Sequence, residues 1–481
     1  MNRKRSLATT SQFIIENIFF LVLLTFSLVF AKERIINSDA GFYFFKLVNF
    51  GHFNIEHGRY SAFISQIALL AGVKIGLSLK TLLYLYSASF IVLFWLVYIL
   101  VRNGLKNKGA ALAILMTIAV GATHSNYRPV SESTQGLVYA LVFFAILFAP
   151  FKQVSESRRM VLRTLLSLIT IVLCYFAHPL TIFPVLFIIG FYTIERRAWK
   201  SYLPWILLLF TLVLYAFKFL VTKDSSYEGG KLSGLDIITQ NLPRFFSIYS
   251  TKYLVKRLLN VYLVSTILFL ALNIYYLWKK DYLKWIFTNT FILGFVLIYN
   301  LDYYAGGSDI EMDKNLMTMN LLIFLPFATD IYYNENIREW LRPVFMILVL
   351  GFSVITLLHP RKIYRQRISY YEELNDALQA QTGHKFYTEE ENISKKVLFL
   401  WGVPFESLII SSLDGPVHSR TIYPVKNLND LPGYIGDPDL FLCTFFWPKW
   451  NIDELNPHYF RLPEKPYHYL PAEDLPKTGN K

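Results

Sequence analysis

The chain has 481 residues, of which 54% are hydrophobic and 17% aromatic, and its formal net charge is +13. Its apolar residues form runs close to the ~20 residues that cross a bilayer, which excludes a soluble globular protein. Lys and Arg lie in short clusters between these runs, where orientation in a membrane explains them, so no nucleic-acid partner is expected. The sequence predicts a polytopic α-helical membrane protein.

The first apolar run covers residues 13–31 and follows three basic residues near the N-terminus. It is predicted to be an uncleaved signal anchor with its N-terminus in the cytoplasm, and a cleaved signal peptide is the alternative. Both interpretations place the next loop outside the membrane. Within that loop, residues 61–77 contain Gln66 and Lys74 and are predicted to lie at the outer interface.

Ten further spans are predicted, which makes eleven in total. They cover residues 79–101, 110–121, 136–151, 165–177, 180–194, 202–221, 258–278, 285–300, 317–333 and 342–358. Short basic loops alternate with less basic ones, and the positive-inside rule puts Lys106, Arg159 and Arg197 in the cytoplasm. Residues 1–359 are therefore predicted to form a multi-span domain in a bacterial inner membrane.

The composition changes after the last predicted span. Residues 360–481 are predicted to form a small soluble α/β domain, with a helix at 368–380 and strands at 396–401, 408–411 and 440–446. An odd number of spans places this domain in the periplasm. The basic residues that follow the last span are compatible with that side, because long domains translocate with little regard for charge.

The two cysteines, Cys174 and Cys443, are too few for a disulfide framework and lack the spacing of metal ligands. Neither a disulfide nor a structural zinc is predicted.

The most informative polar window is residues 35–60, directly after the first span. It contains Asp39, Glu56, His57 and Arg59. Asp39 has two interpretations: a residue of a solvated loop or helix N-cap, or a general base that takes the proton of an acceptor hydroxyl at the outer face.

This arrangement resembles the first external loop of the GT-C superfamily of polytopic glycosyltransferases. The resemblance rests on Asp39, the aromatic segment 42–45, the stretch 57–60, the eleven-span plan and the terminal soluble domain. It implies an inverting transfer of sugar from a polyprenyl-phosphate donor to a glycan, lipid or protein acceptor, with Asp39 as the catalytic base. Many members carry two adjacent acids where this chain has Ser38-Asp39-Ala40. A divalent cation is therefore left open, and the sequence requires none.

A lipid-linked donor presents a phosphate near the outer interface, where a fixed cation would hold it and stabilise the leaving group. Arg59 and Arg128 are the first candidates, because each lies in a short loop with a histidine nearby, His57 and His124 respectively. Lys314 is the third candidate cation. The alternative is that these are ordinary cations of the membrane interface.

Three other functions stay open. A lipid or glycan flippase or transporter would need ionisable groups or broken helices near the midplane. A glycan polymerase or ligase would also use external arginines, although its large loop lies between spans. A non-catalytic membrane scaffold would use the soluble tail to bind partners. For the glycosyltransferase with Asp39 as its base, the aromatic segment 42–45 is expected to anchor the loop in the membrane interface.

Overall fold

The computed structural model describes residues 2–152, 154–222, 234–305, 309–333, 338–393, 397–429, 431–443 and 449–476. Residue 396, where a strand was predicted to begin, and residues 444–446 of another predicted strand lie outside these ranges. The described chain is mostly helical with little sheet.

The described helices follow one another along the chain from the N-terminus. They are α1 (Asn2–Val29), α2 (Ala31–Ile35), α3 (Asp39–Phe50), α4 (Phe63–Lys74), α5 (Leu79–Ile99), α6 (Lys108–Ala119), α7 (Glu132–Phe148), α8 (Glu156–Ala177), α9 (Ile182–Glu195), α10 (Tyr202–Thr222), α11 (Gly234–Asn241), α12 (Tyr249–Leu258), α13 (Leu263–Trp278), α14 (Tyr282–Asp302), α15 (Asp309–Pro326), α16 (Leu341–Leu358), α17 (Arg361–Ala380), α18 (Glu390–Ile393) and α19 (Val403–Ser411). Two π-helical turns, Leu100–Gly104 and Phe327–Tyr332, extend α5 and α15.

Several helices begin at a residue whose side chain caps the first turn. Ser78 accepts a hydrogen bond from the backbone N–H of Thr81 at the start of α5, and Ser131 accepts one from Thr134 at the start of α7. Asp281 does the same at the start of α14. Such a cap satisfies one of the backbone donors that a helix leaves unpaired.

Within the described ranges, five helical segments are long and apolar enough to cross a membrane. They are Ser11–Val29, Leu79–Gly104, Glu156–Ala177, Tyr282–Asp302 and Leu341–Ala380, and α12 with α13 would make a sixth, bent by 82°. Shorter apolar helices include α6, α7 and α9. On α10, Leu209 is 65% exposed and Phe217 60%, as suits contact with lipid. The prediction of a mostly helical chain with several helices that could cross a membrane is confirmed, and the total of eleven spans stays a prediction.

The helical bundle has one extensive apolar core. Leu112 of α6, Phe143 of α7, Ile188 of α9 and Phe324 of α15 are fully buried in it. These are the helices that were predicted to be spans from their apolar runs. Almost all residues of α6 and α7 are buried, as expected of helices that are apolar on all sides.

The described residues of the C-terminal region form two small sheets. Strands β1 (Lys385–Glu389), β2 (Thr421–Val425) and β5 (His468–Tyr469) form a parallel sheet in the order β2-β1-β5. Strands β3 (Leu440–Leu442) and β4 (Lys449–Asn451) form an antiparallel pair. Helix and strand therefore occur together after the bundle, in the part of the chain that was predicted to be α/β.

The secondary structure predicted for this region is partly correct. The helix at 368–380 lies inside α17, and the predicted strand at 440–446 contains β3. The strand predicted at 408–411 is wrong, because these residues belong to α19. Residues 400 and 401 of the strand predicted at 396–401 belong to a 3-10 turn, Leu400–Gly402. A short apolar run has no periodicity that separates a buried strand from a buried helix.

A second apolar core joins α3 to the C-terminal region. The ring of Phe42 lies 5.8 Å from that of Phe405, and the ring of Phe45 lies 5.7 Å from Phe441 and 5.6 Å from Trp450. Residues 42–45 are all buried. The expectation that they anchor a loop in the membrane interface is therefore wrong: they pack α3 against the C-terminal region.

Candidate functional site

Asp39 is the first residue of α3, at the end of the bundle where α1 and α2 finish. Its carboxylate is half-buried, and within the described residues no hydrogen bond or ion pair involves it. Ser38, just before it, has a φ of 42°, which an L-residue rarely adopts. Uncommon backbone conformations of this kind are often found at functional sites.

Glu132 is the centre of a buried charge cluster close to Asp39. Arg59 Nη1 lies 3.2 Å from Glu132 Oε2, and the Tyr43 hydroxyl donates to Glu132 Oε1 at 3.0 Å. Burial alone would raise the pKa of this carboxyl, but the charges of Arg59 and Lys314 outweigh burial and lower its pKa from 4.5 to about 2. Glu132 is therefore ionised at neutral pH and binds Arg59 as a fixed pair.

Lys314 connects this cluster to Asp39. Its ammonium donates to the backbone oxygen of Val130 at 3.4 Å. Burial lowers the pKa of Lys314, the carboxylates of Glu132 and Asp39 oppose that shift, and Arg128 adds to it. Coulomb interactions weaken with distance, so we assign Lys314, Glu132, Asp39 and Arg128 to one candidate site.

Arg128 is a second cation of this site and is only 8% exposed. Its guanidinium lies over the ring of Phe399, 5.1 Å from the ring centre. In the described part of the chain no carboxylate forms an ion pair with it. A largely buried guanidinium that lacks an acidic partner is suited to binding an anion.

His124 lies beside the same site, on the side of Asp313. Its Nδ1 is 3.1 Å from the Tyr364 hydroxyl, and its backbone N–H donates to Asp313. The fully buried Asp313 also accepts hydrogen bonds from the hydroxyls of Tyr262, at 2.9 Å, and Tyr253, at 3.2 Å. Neutral donors thus surround this carboxylate, an arrangement suited to a structural role.

His57 lies two residues before Arg59, in a turn where its φ is 53°. It is half-buried, and its position in the chain keeps it near the Arg59–Glu132 pair.

A third cluster joins the Asp39 turn to the C-terminal region. Glu406 of α19 accepts a hydrogen bond from the backbone N–H of Ser38 at 2.5 Å and one from the Tyr371 hydroxyl at 2.5 Å. Arg367 of α17 pairs with Glu406 and donates to the backbone oxygen of Ile36. The C-terminal region thus fixes the backbone that carries Asp39.

The structure brings together four of the residues singled out in the sequence: Asp39, Arg59, Arg128 and Lys314. Glu132 and Glu406 were not predicted as site residues. Glu132 had a recognisable signal, since it follows Arg128 by four residues and lies just before the predicted span at residues 136–151. Glu406 had none, because its contact with Ser38 joins segments that lie far apart in the chain.

Among the residues with described positions, no group of three or more His, Cys, Asp or Glu side chains is arranged to hold a metal ion. Cys174 and Cys443 are buried, and among the described residues neither forms a disulfide. No protein-family model, curated protein or solved structure matches the chain.

Proposed function

We propose that this chain is a GT-C-type glycosyltransferase that moves a sugar from a polyprenyl-phosphate donor to a glycan, lipid or protein acceptor on the outer face of a bacterial inner membrane. One observation carries the proposal. The carboxylate of Asp39 forms no ion pair with any described residue, and its charge and that of Arg128 both act on Lys314 at one end of the helical bundle. A base and two cations next to a lipid phase are what this transfer requires.

The reaction is an in-line substitution at the anomeric carbon. The acceptor oxygen forms the new bond while its proton passes to Asp39, and the bond from the anomeric carbon to the phosphate oxygen breaks. The leaving polyprenyl phosphate carries away the electron pair. Arg128 and Lys314 stabilise the negative charge that develops there. Attack opposite the leaving group inverts the anomeric centre.

Arg59 was predicted to bind the donor phosphate, and its ion pair with Glu132 gives it a positioning role instead. Its guanidinium is paired with Glu132, whereas no carboxylate of the described residues pairs with Arg128. Arg128 and Lys314 therefore bind the donor phosphate, and Arg59 positions Glu132 close to Lys314.

The same proposal includes the eleven-span topology, with the N-terminus in the cytoplasm and residues 360–481 in the periplasm. On that side, the C-terminal region would meet acceptors that arrive from the aqueous phase. Its contact with the Ser38 backbone supports a part in the same site.

The proposal is tested with membranes that contain the full chain and extracted polyprenyl-phosphate sugars carrying a labelled sugar. Wild type should transfer the label, and Asp39→Asn should lose about 10²- to 10⁴-fold in rate, the usual contribution of a general base. Asp453→Asn, an exposed acid distant in sequence, is the control. Equal rates for wild type and Asp39→Asn would refute the assignment of the base.

A transporter is the second candidate, because a buried ion pair lies inside the bundle. Glu16 of α1 pairs with Arg102 and accepts a hydrogen bond from the Tyr98 hydroxyl. Ionisable groups within membrane helices often mark a transport path. A flippase would move a fluorescent polyprenyl-phosphate sugar across a proteoliposome membrane and lose this activity in Glu16→Gln, while Asp39→Asn stayed active.

A further inference from the structure

A polar cavity of about 570 Å³ lies far from the Asp39 site. Its wall includes Asp330, in the π-helical turn that extends α15, whereas Lys314 lies near the start of the same helix. The rise of a helix separates these two residues by roughly 24 Å. The cavity is therefore a separate feature at the other end of the bundle.

Lys284 of α14 forms ion pairs with the acidic side chains of this cavity. Its ammonium lies 2.9 Å from Asp330 Oδ2 and 4.0 Å from Asp281 Oδ2, and it also contacts Glu195. The Tyr276 hydroxyl donates to Asp330 as well, at 2.8 Å. The carboxylates of the cavity therefore contact Lys284 and do not neutralise the other cations of the cavity.

Three further cations line the cavity: Arg197, Lys279 and Lys280. All three side chains are exposed, and across the described residues no carboxylate pairs with Arg197 or Lys280. Both of these residues lie in turns with positive φ, 50° and 58°. The cavity therefore presents several positive charges that are available to an anion.

An apolar groove of about 420 Å³ adjoins the polar cavity. Ile194 lines the groove while the next residue, Glu195, lines the cavity, and Phe287 of the groove lies one turn beyond Lys284. Trp199 and Leu212 form part of the groove and are about half exposed. An apolar groove between helices thus ends at a cluster of cations.

We propose that these two cavities together bind one anionic phospholipid. The phosphate of the headgroup is held by Arg197, Lys279 and Lys280, and an acyl chain lies in the groove. Basic pockets between membrane helices bind acidic headgroups, and each nearby Lys or Arg adds to the attraction. An acyl chain in the groove would pack against its tryptophan and leucine side chains. A soluble phosphate would account for the cations only, so the groove favours a lipid.

The test uses the full chain in nanodiscs of phosphatidylcholine with or without phosphatidylglycerol, followed by native mass spectrometry of the lipids that the protein retains. Wild type should retain phosphatidylglycerol in preference to phosphatidylcholine. Arg197→Gln with Lys280→Gln should lower its affinity for phosphatidylglycerol by about fivefold for each cation removed. Leu212→Trp, which fills the groove, should lower retention while the cations stay in place.

Lys106→Gln with Arg158→Gln is the matched control, since both residues are exposed cations outside this cavity and Lys106 also has a positive φ. This variant should retain phosphatidylglycerol like wild type. The proposal is overturned if the cavity and control variants behave alike, or if inorganic phosphate displaces the retained lipid as well as phosphatidylglycerol does. Arg197→Lys with Lys280→Arg keeps the charge and should bind like wild type, which separates lost charge from damaged folding.

Discussion

The backbone N–H of Ser38 donates a hydrogen bond to the carboxylate of Glu406 at 2.5 Å. These residues belong to opposite ends of the chain, and the bond fixes the residue just before Asp39. Arg367 and Tyr371 bind the same carboxylate. The C-terminal region is therefore part of the support for Asp39, in addition to any role in binding an acceptor.

We expect Glu406→Ala to destabilise the protein by about 3 to 5 kcal/mol, because it leaves the buried guanidinium of Arg367 without its partner. The melting temperature of the purified chain measures this loss. Glu372→Ala is the control: its ion pair with Lys32 also joins α17 to α2 but is partly exposed, so it should cost less than about 1 kcal/mol. Similar losses in both variants would contradict the supporting role of Glu406.

The sequence allowed the helical class and part of the candidate site to be predicted, because both depend on local patterns. Apolar runs predicted the helices, and Asp39, Arg59 and Arg128 were noticed as charged residues beside them. The Glu406 contact was not predictable from one sequence, since nothing near residue 406 indicates residue 38 as its partner. The aromatic segment 42–45 was misassigned for a related reason: amphipathic aromatic residues suit a membrane interface and a protein core equally well.

The Arg59–Glu132 pair should show strong coupling in a double-mutant cycle. Arg59→Met and Glu132→Gln should each destabilise the protein, because each leaves part of a buried pair unsatisfied. The double variant should be more stable than the sum of the single losses predicts, by about 0.5 to 3 kcal/mol. Denaturation of the three variants measures the coupling, and simple additivity would show that the pair is not formed.

The lowered pKa of Glu132 also predicts that the stability of the protein depends on pH. Its pKa is lowered on folding, from 4.5 to about 2, so its contribution is present above pH 4.5 and is lost as the pH falls towards 2. The difference in melting temperature between wild type and Glu132→Gln should therefore be largest near neutral pH and should shrink across this acid range. A difference that stays constant down to pH 2 would mean that Glu132 is not held in its charged form.

The proposed topology places the C-terminal region outside and the loop at Lys106 inside. An alkaline phosphatase fused after Gly383 should be active, because this enzyme folds in the periplasm, and one fused after Lys106 should be inactive. Fluorescent-protein fusions at the same two positions should give the opposite pattern. An inactive phosphatase with a bright fluorescent fusion at Gly383 would reverse the assigned side of the C-terminal region.

Loss of Arg128 or Lys314 should slow sugar transfer, whereas loss of Arg59 should mainly lower stability. Arg128→Gln and Lys314→Gln should each remove a charge-assisted contact to the donor phosphate, worth about 1.5 to 3 kcal/mol, and so slow sugar transfer by roughly 10- to 150-fold. Arg59→Gln should mainly lower the melting temperature, because its guanidinium is bound to Glu132 and not available to the donor. Transfer rates and melting temperatures of all three variants separate these effects.

Arg128→Lys is an informative fourth variant, because a lysine keeps the charge but loses the bidentate geometry of a guanidinium. It should therefore recover only part of the transfer rate. If Arg59→Gln instead abolished transfer at unchanged stability while Arg128→Gln and Lys314→Gln kept full rates, the donor phosphate would bind on the Arg59 side of the cluster.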